Sequence, residues 1–280
     1  MIKDDIYMLK SNLHTHTVFC DGNNTPEEMV IKAIELGFSS LGFSAHSPMF
    51  FENDYAVLPE KFSEYYNEIE RLKKLYSDKI EIYNGVELDK DTVDLSDYKF
   101  DYIIASVHQI HKNGNMYYID YSSEMLKECV KKEFDGDFYK MISHYYNEFT
   151  EFVINVRPDM VGHFDLIEKY NSNNDLFDRD SDEYKNIVKK ALTIISEKRP
   201  GQIFEINTGA MYRMKNNLIY PSGYIMKLLK ELGFNLVINS DSHSVNSINF
   251  GFEEAIKYCR EFGFECVSIL KNGKFKQISI

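Results

Sequence analysis

Residues 101–108 read DYIIASVH. The middle of this run, YIIASV, is almost continuously apolar and carries residues that favour extended chain. A strand with one solvated face would alternate apolar and polar residues. A run apolar on both faces suits a parallel strand covered on its outer side by helices. The run then ends on a histidine, His108. Both features recur along the chain. Working outward, six more short runs of strand formers appear: SNLHTHT (11–17), SLGFSAH (40–46), IEIYNGVELD (80–89), DMVGHFD (159–165), QIFEINTG (202–209) and NLVINSDSH (235–243).

Most intervals between these runs carry a helical period. In TPEEMVIKAIELG (25–37), Thr25 is a helix N-cap, Pro26 takes the first helical position and Glu28 completes a capping box. Met29, Val30, Ala33, Ile34 and Leu36 form its buried stripe, and Gly37 suits the left-handed C-terminal position. Further amphipathic helices are expected over 58–77, 137–156, 181–198, 221–233 and 249–263. Strands alternating with helices are the mark of parallel βα units. A chain of 280 residues matches the roughly 250 that an α/β barrel needs, but seven strands are one short of the usual eight. The tail 265–280 reads as a β-hairpin turning at Asn272-Gly273. Residues 109–136 interrupt the rhythm and read as a loop insertion containing a short helix. With no linker or repeat in sight, residues 1–280 are expected to form one domain.

Composition narrows the function. The net charge is −12 and no Lys/Arg-rich run stands out, which speaks against general nucleic-acid binding. The four cysteines form no C-x-x-C pair, so they read as reduced thiols of a cytoplasmic protein. No apolar run approaches the ~20 residues needed to span a bilayer, and the N-terminal residues lack the apolar stretch of a signal peptide.

The histidines carry the chemistry. Alternation along a strand points His14 and His16 to one side. His46, His108, His163 and His243 end four other strand runs, so six of the eight histidines lie at strand C-termini. Chance scatter would put about a quarter of them there, given how little of an α/β chain lies at strand ends. Glu87 in GVELD and Asp241 in SDSH join them. In α/β barrels these ends converge on one face, where active sites sit. Imidazole and carboxylate together suit Zn, Mn or Fe, and so many donors exceed the needs of one ion. Two or three divalent ions are expected. Such a cluster clamps phosphate oxygens and makes hydroxide available at neutral pH, which is phosphoester-hydrolysing chemistry.

In their order, HTHT, AHS, GVELD, SVH, GHFD and SDSH resemble the motifs of the polymerase-and-histidinol-phosphatase (PHP) superfamily, over about residues 12–245. Chain length and EINTGAMYR resemble its histidinol-phosphate phosphatases. That resemblance implies a distorted seven-stranded, TIM-like (β/α)7 barrel with a trinuclear centre. It implies that His14, His16, Glu87 and Asp241 hold a first ion, that Glu87 bridges to a second held by His108 and His163, and that Asp21, His46 and His243 hold a third. Asp21, beside Gly22, reads equally well as a turn residue. The three carboxylates against three divalent ions leave the site at roughly +3, or roughly +1 with two ions, so it would attract a phosphate dianion. The implied substrate is a small phosphorylated compound, L-histidinol phosphate, with hydroxide bridging the ions as nucleophile. Arg213 matches the family's phosphate-binding arginine. Lys169 stands where relatives tend to carry arginine, and Arg179 could substitute for it. Glu205 or a nearby acid is a candidate for the substrate's amino group, and Asp165 or metal-bound water for the general acid. Other phosphoesters, such as nucleotides or DNA 3′ ends, and a non-catalytic metal-binding scaffold are the alternatives.

Overall fold

All seven runs enter one curled, mostly parallel sheet. The structure is a computed structural model that describes residues 10–171 and 173–280. In chain order its strands are β1 (Ser11–Asn12), β2 (Ser40–Phe43), β3 (Glu81–Leu88), β4 (Tyr102–Ala105), β5 (Gln109–Lys112), β6 (Asn115–Tyr118), β7 (Met160–Val161), β8 (Ile203–Asn207), β9 (Asn235–Asn239), β10 (Cys266–Lys271) and β11 (Lys274–Ser279). The sheet order is β1-β2-β3-β4-β7-β8-β9-β10-β11, with β5 and β6 paired separately. Each of the expected strands lies parallel to the next, as right-handed βα units require.

The sheet has nine strands, which corrects the count of seven. The tail does form the expected hairpin, with Asn272 and Gly273 at positive φ. Its first strand also joins the main sheet, running parallel to β9 with Ser268 opposite Val237. The sheet curls far enough for the chain just past β1 to meet the chain just past β9. Thr15 and Ser242 form a parallel bridge there, with Ser242 N–H donating to the His14 carbonyl at 3.0 Å and His16 N–H to the Ser242 carbonyl at 2.8 Å.

Helices lie between the strands, most of them on the outer face. They are α1 (Pro26–Glu35), α2 (Phe62–Leu75), α3 (Ser123–Glu133), α4 (Phe138–Val156), α5 (Asp182–Lys198), α6 (Gly209–Met214), α7 (Gly223–Glu231) and α8 (Phe252–Glu261). The capping box of α1 forms as its sequence directs: Thr25 accepts from Glu28 N–H, and Glu28 accepts from Thr25 N–H at 2.8 Å. The apolar stripes of α1, α2, α4 and α5 bury Met29, Val30, Ile69, Leu72, Tyr145, Phe149, Val188 and Leu192 against the sheet. Such burial, at roughly 25 cal/mol per Å², supplies the main driving force for folding.

Inside the curl, residues two apart share a face. Along β3 that face reads Tyr83, Gly85, Glu87; along β9 and beyond it reads Val237, Asn239, Asp241. The strand beginnings are apolar and the strand ends polar. Leu13, Tyr83, Tyr102, Ile104, Met160, Val237 and Leu270 form a buried apolar plug at the first end. Gly85 makes room for it, since a Cβ there would stand 2.3 Å from the Tyr102 ring.

The insertion holds more order than expected. Its helix is α3, but β5 and β6 precede it as a hairpin turning at Asn113 and Gly114, both at positive φ. Two consecutive positive φ values mark the turn type that Asn-Gly favours.

Candidate metal centre

Glu87, at the end of β3, is the hub of the polar end. Its Oε2 lies 2.8 Å from His46 Nδ1, 3.3 Å from His14 Nε2 and 3.6 Å from His16 Nε2. Its Oε1 lies 2.9 Å from His163 Nε2 and 3.6 Å from His108 Nε2. One carboxylate thus faces imidazoles from five separate positions in the sequence. Asp241 is the second acid, with Oδ1 3.2 Å from His16 Nε2 and 3.6 Å from His14 Nε2. Asp21 comes from the loop after His16 and completes the outer side: its Oδ2 is 3.0 Å from His243 Nε2, and its Oδ1 is 3.8 Å from His46 Nε2. All nine residues singled out as ligands in the sequence meet at this rim.

The donors fall into overlapping sets. His16, Asp21, His46 and His243 form one, His14, His16 and Glu87 a second, and His46, Glu87 and His108 a third; within each, donor atoms lie within 4.8 Å of one another. His163 adjoins the third set through Glu87. The residues fit divalent ions on a structural ground. Among the described residues, His14 Nε2 and His16 Nε2 are buried and have no hydrogen-bond partner, and Glu87 Oε2, though 2.8 Å from His46 Nδ1, makes no aligned hydrogen bond. Leaving such groups unsatisfied costs about 1–3 kcal/mol each, and the three residues together make up the second set. Burial, then the rings of His243 and His46, push the His16 imidazole down to about 3, which keeps it neutral and able to ligate. Burial resists ionisation of Glu87, but the imidazoles of His46, His14 and His108 hold it well below the usual carboxylate range. Burial likewise resists the charge on Asp241, and Arg213 and His14 outweigh it.

A further layer of groups orients these rings. Glu205 lies behind His14 with Oε1 2.6 Å from Nδ1, and it also accepts from Asn239 Nδ2 at 2.9 Å, Asn207 Nδ2 at 2.8 Å and the His163 backbone N–H at 3.1 Å. It is fully buried and is not among the residues lining the cavity, so the structure places it away from any substrate amine. Its carboxylate fixes the tautomer of His14, a common arrangement behind ligating imidazoles. Asp89 does the same for His108, with Oδ2 3.0 Å from Nδ1. Asp89 closes the GVELD motif and has no expected role in the sequence. Its place two residues after Glu87, on the same side of the strand, was the available signal.

Above the donors opens a cavity of about 450 Å³. Arg213 lines it beside His243: its guanidinium donates to Asp241 Oδ2 at 2.8 Å and to the Asp241 carbonyl at 3.0 Å. Lys169 lines it too, but donates to the Asp120 carbonyl at 2.8 Å and to Asp120 Oδ2 at 3.3 Å. Arg179 is placed elsewhere. It donates to the Asn171 carbonyl at 2.5 Å and lies 3.4 Å from Glu168, away from the cavity lining. Asp165 is buried behind His163, where its Oδ2 accepts from Ser222 N–H at 2.6 Å. Burial, then Glu168, pushes its carboxyl well above the ordinary range, but it too lies outside the lining. Cys20 sits 3.5 Å from His16 Nδ1, and burial pushes its thiol up to about 12.

Histidines and carboxylates from the C-terminal ends of a curled parallel sheet, gathered under a cavity with a cation on its wall, define a multinuclear metal centre of an α/β phosphoesterase. The model of the PHP domain matches residues 12–209, and the chain belongs to that family. It is 26% identical to a histidinol-phosphatase of Bacillus subtilis, over 90% of this chain and 100% of that protein. It is also 26% identical to a histidinol-phosphatase of Lactococcus lactis, over 92% and 93% of the two chains. Among solved structures it resembles a histidinol phosphate phosphatase from Lactococcus lactis complexed with zinc, L-histidinol and phosphate. The TM-score is 0.71 and the identity 23%, over 96% of this chain and 99% of that one; at that identity the likeness speaks for the fold.

Proposed function

We propose that this chain is a metal-dependent phosphomonoesterase that converts L-histidinol phosphate to L-histidinol and phosphate. The observation that carries the reading is the rim itself: nine nitrogen- and oxygen-bearing side chains caging orphaned donor atoms beneath an arginine-lined cavity. It is joined by full-length similarity to proteins named for that activity. In this reading residues 1–280 act as one domain in the cytoplasm. The first seven parallel strands are a TIM-like barrel core, to which the tail hairpin is added.

His14, His16, Glu87 and Asp241 would hold a first ion, Glu87 with His108 and His163 a second, and Asp21, His46 and His243 a third. Zinc, manganese or iron would suit these donors. Bound there, divalent ions neutralise phosphate oxygens and lower the pKa of water toward neutrality. The chain's own groups do the rest. Arg213 presents a planar fork of donors to phosphate oxygens, held in place by Asp241. Glu205 and Asp89 keep the proton on Nδ1 of His14 and His108, so that Nε2 is turned to the centre.

The test is phosphate release from L-histidinol phosphate by metal-loaded protein, set beside nucleoside monophosphates and simple alkyl phosphates. The expected result is kcat/KM higher on L-histidinol phosphate than on every other ester. Equal turnover across the panel would remove the substrate assignment and leave a general phosphoesterase.

A further inference from the structure

The cavity is electrically lopsided. On the His243 side stand Arg213 and the proposed ion sites, all suited to a phosphate dianion. The His108 side is built from three other segments: the turn over 50–57, the insertion hairpin with the residues that follow it, and the short helical turn that Lys169 ends. Tyr55, Tyr118 and Tyr121 face the cavity there, with Asp54, Asp120 and Lys169. Two carboxylates against one ammonium leave that wall net negative.

The wall is fixed in place. Asn53 Oδ1 accepts from the backbone N–H groups of Tyr55 and Ala56 at 3.3 and 2.7 Å, which sets the turn that presents Tyr55. The Tyr55 ring stands edge-on to that of Tyr118, with centroids 6.0 Å apart and planes at 87°. It also lies 5.1 Å from the His46 ring and 6.2 Å from the His108 ring, so the aromatic pair begins where the metal donors end. The hairpin carries Tyr118 on its last residue, and Asp120 follows two residues later. Lys169 and Tyr170 both donate to the Asp120 carbonyl at 2.8 Å, pinning its backbone. Lys169 reaches only Oδ2 of the side chain, at 3.3 Å. Among the described residues, Asp120 Oδ1 has no hydrogen-bond partner.

We infer that this wall is the specificity site: Asp120 receives the ammonium group of the substrate's organic part, and the Tyr55–Tyr118 pair receives its flat ring. The inference rests on the phosphomonoesterase reading above and goes further in assigning the two ends of the substrate to two walls. A zwitterionic ester, dianionic at one end and cationic at the other, matches the lopsided field. An ester with a neutral tail would leave the half-buried Asp120 carboxylate with only its long contact to Lys169. An aromatic face also favours a nearby cation, so the pair and the acid act in the same direction. Lys169 takes a positioning role here: it holds Asp120 rather than clamping phosphate.

The test compares two esters on wild type and Asp120→Asn: L-histidinol phosphate, and its analogue with hydrogen in place of the amino group. Wild type is expected to favour the amine-bearing ester by about 10- to 100-fold in kcat/KM, carried mainly by KM, as for a hydrogen-bonded ion pair. Asp120→Asn should abolish that preference and leave turnover of the deamino analogue near wild type. The ratio also separates this role from a structural one. Freeing Lys169 or loosening the hairpin would change both esters alike. A wild type that treats the two esters equally, or a variant that loses both in proportion, overturns the inference while leaving the phosphatase reading intact. Hydrolysis of neither ester overturns the substrate reading and this inference with it. Tyr118→Ala gives a second check: KM should rise for both ring-bearing esters but not for ethanolamine phosphate, and Tyr118→Phe should retain most of the wild-type value. A rise in KM for all three esters would contradict the ring assignment.

Discussion

The two ends of the sheet interior differ more than any other two regions of the molecule. At the strand beginnings, Tyr83, Tyr102, Met160 and Val237 close into a dry plug, with the Tyr102 hydroxyl satisfied by the Leu13 carbonyl at 2.6 Å. Four residues further along β3 and β9, Glu87 and Asp241 lie just as buried, but here Glu87 Oε2 and ring nitrogens of His14, His16 and His163 have no partner among the described residues. The plug is complete as it stands. The rim carries donor atoms without partners among the described residues, which divalent ions would satisfy. Stability and function are thus separated along β3 and β9 by about 13 Å, four residues of rise.

That contrast can be broken at either end. The largest effect is expected at the hub. Glu87→Gln removes the carboxylate facing five imidazoles, and kcat/KM should fall by about 10³-fold or more with loss of bound metal. The fold should persist, which circular dichroism would check. Unchanged activity in this variant would mean that the rim is not the reaction centre. Glu205→Gln is next. It keeps the shape but weakens the hold on His14 Nδ1, and metal affinity should drop by about 10- to 100-fold, read by titration with a chromophoric chelator. A wild-type affinity would show that Glu205 serves packing alone.

At the other end the readout changes from activity to stability. Gly85→Ala sets a methyl group against the Tyr102 ring, where a Cβ would stand at 2.3 Å. Overpacking of this kind costs about 1–3 kcal/mol, so the thermal midpoint should fall by several degrees. Metal content per folded chain should not change. A matching loss of metal would show that the two ends are mechanically coupled. The smallest expected effect is on the surface: Thr25→Ala removes the α1 cap at a cost of about 1 kcal/mol, with kcat and KM untouched.

Much of this was legible in the sequence because strand ends and metal donors follow local rules. His14 and His16 announce a shared face by spacing alone, and Thr25-Pro26 announces a helix start. Other features depend on what lies across a strand. Glu205 carries an acid's signature, but only the curl of the sheet, which brings the β1 extension across to it, sets it against His14. Arg179 stood at a plausible distance in sequence, yet its guanidinium is engaged by Asn171 and Glu168. The β5–β6 hairpin had a legible signal in Asn113-Gly114, the same dipeptide read correctly at Asn272-Gly273, but its strands are only four residues each. The pairing of β10 with β9 had no local signal at all, since it depends on how far the sheet curls.

The central claim is that distant segments cage divalent ions which the reaction requires. The most direct measurement is elemental analysis of the purified chain beside its phosphate release, before and after stripping with a chelator. The account predicts two or three equivalents of zinc, manganese or iron per chain, activity lost on stripping, and activity regained when the ions are restored. Full hydrolysis by a chain freed of metal would contradict it.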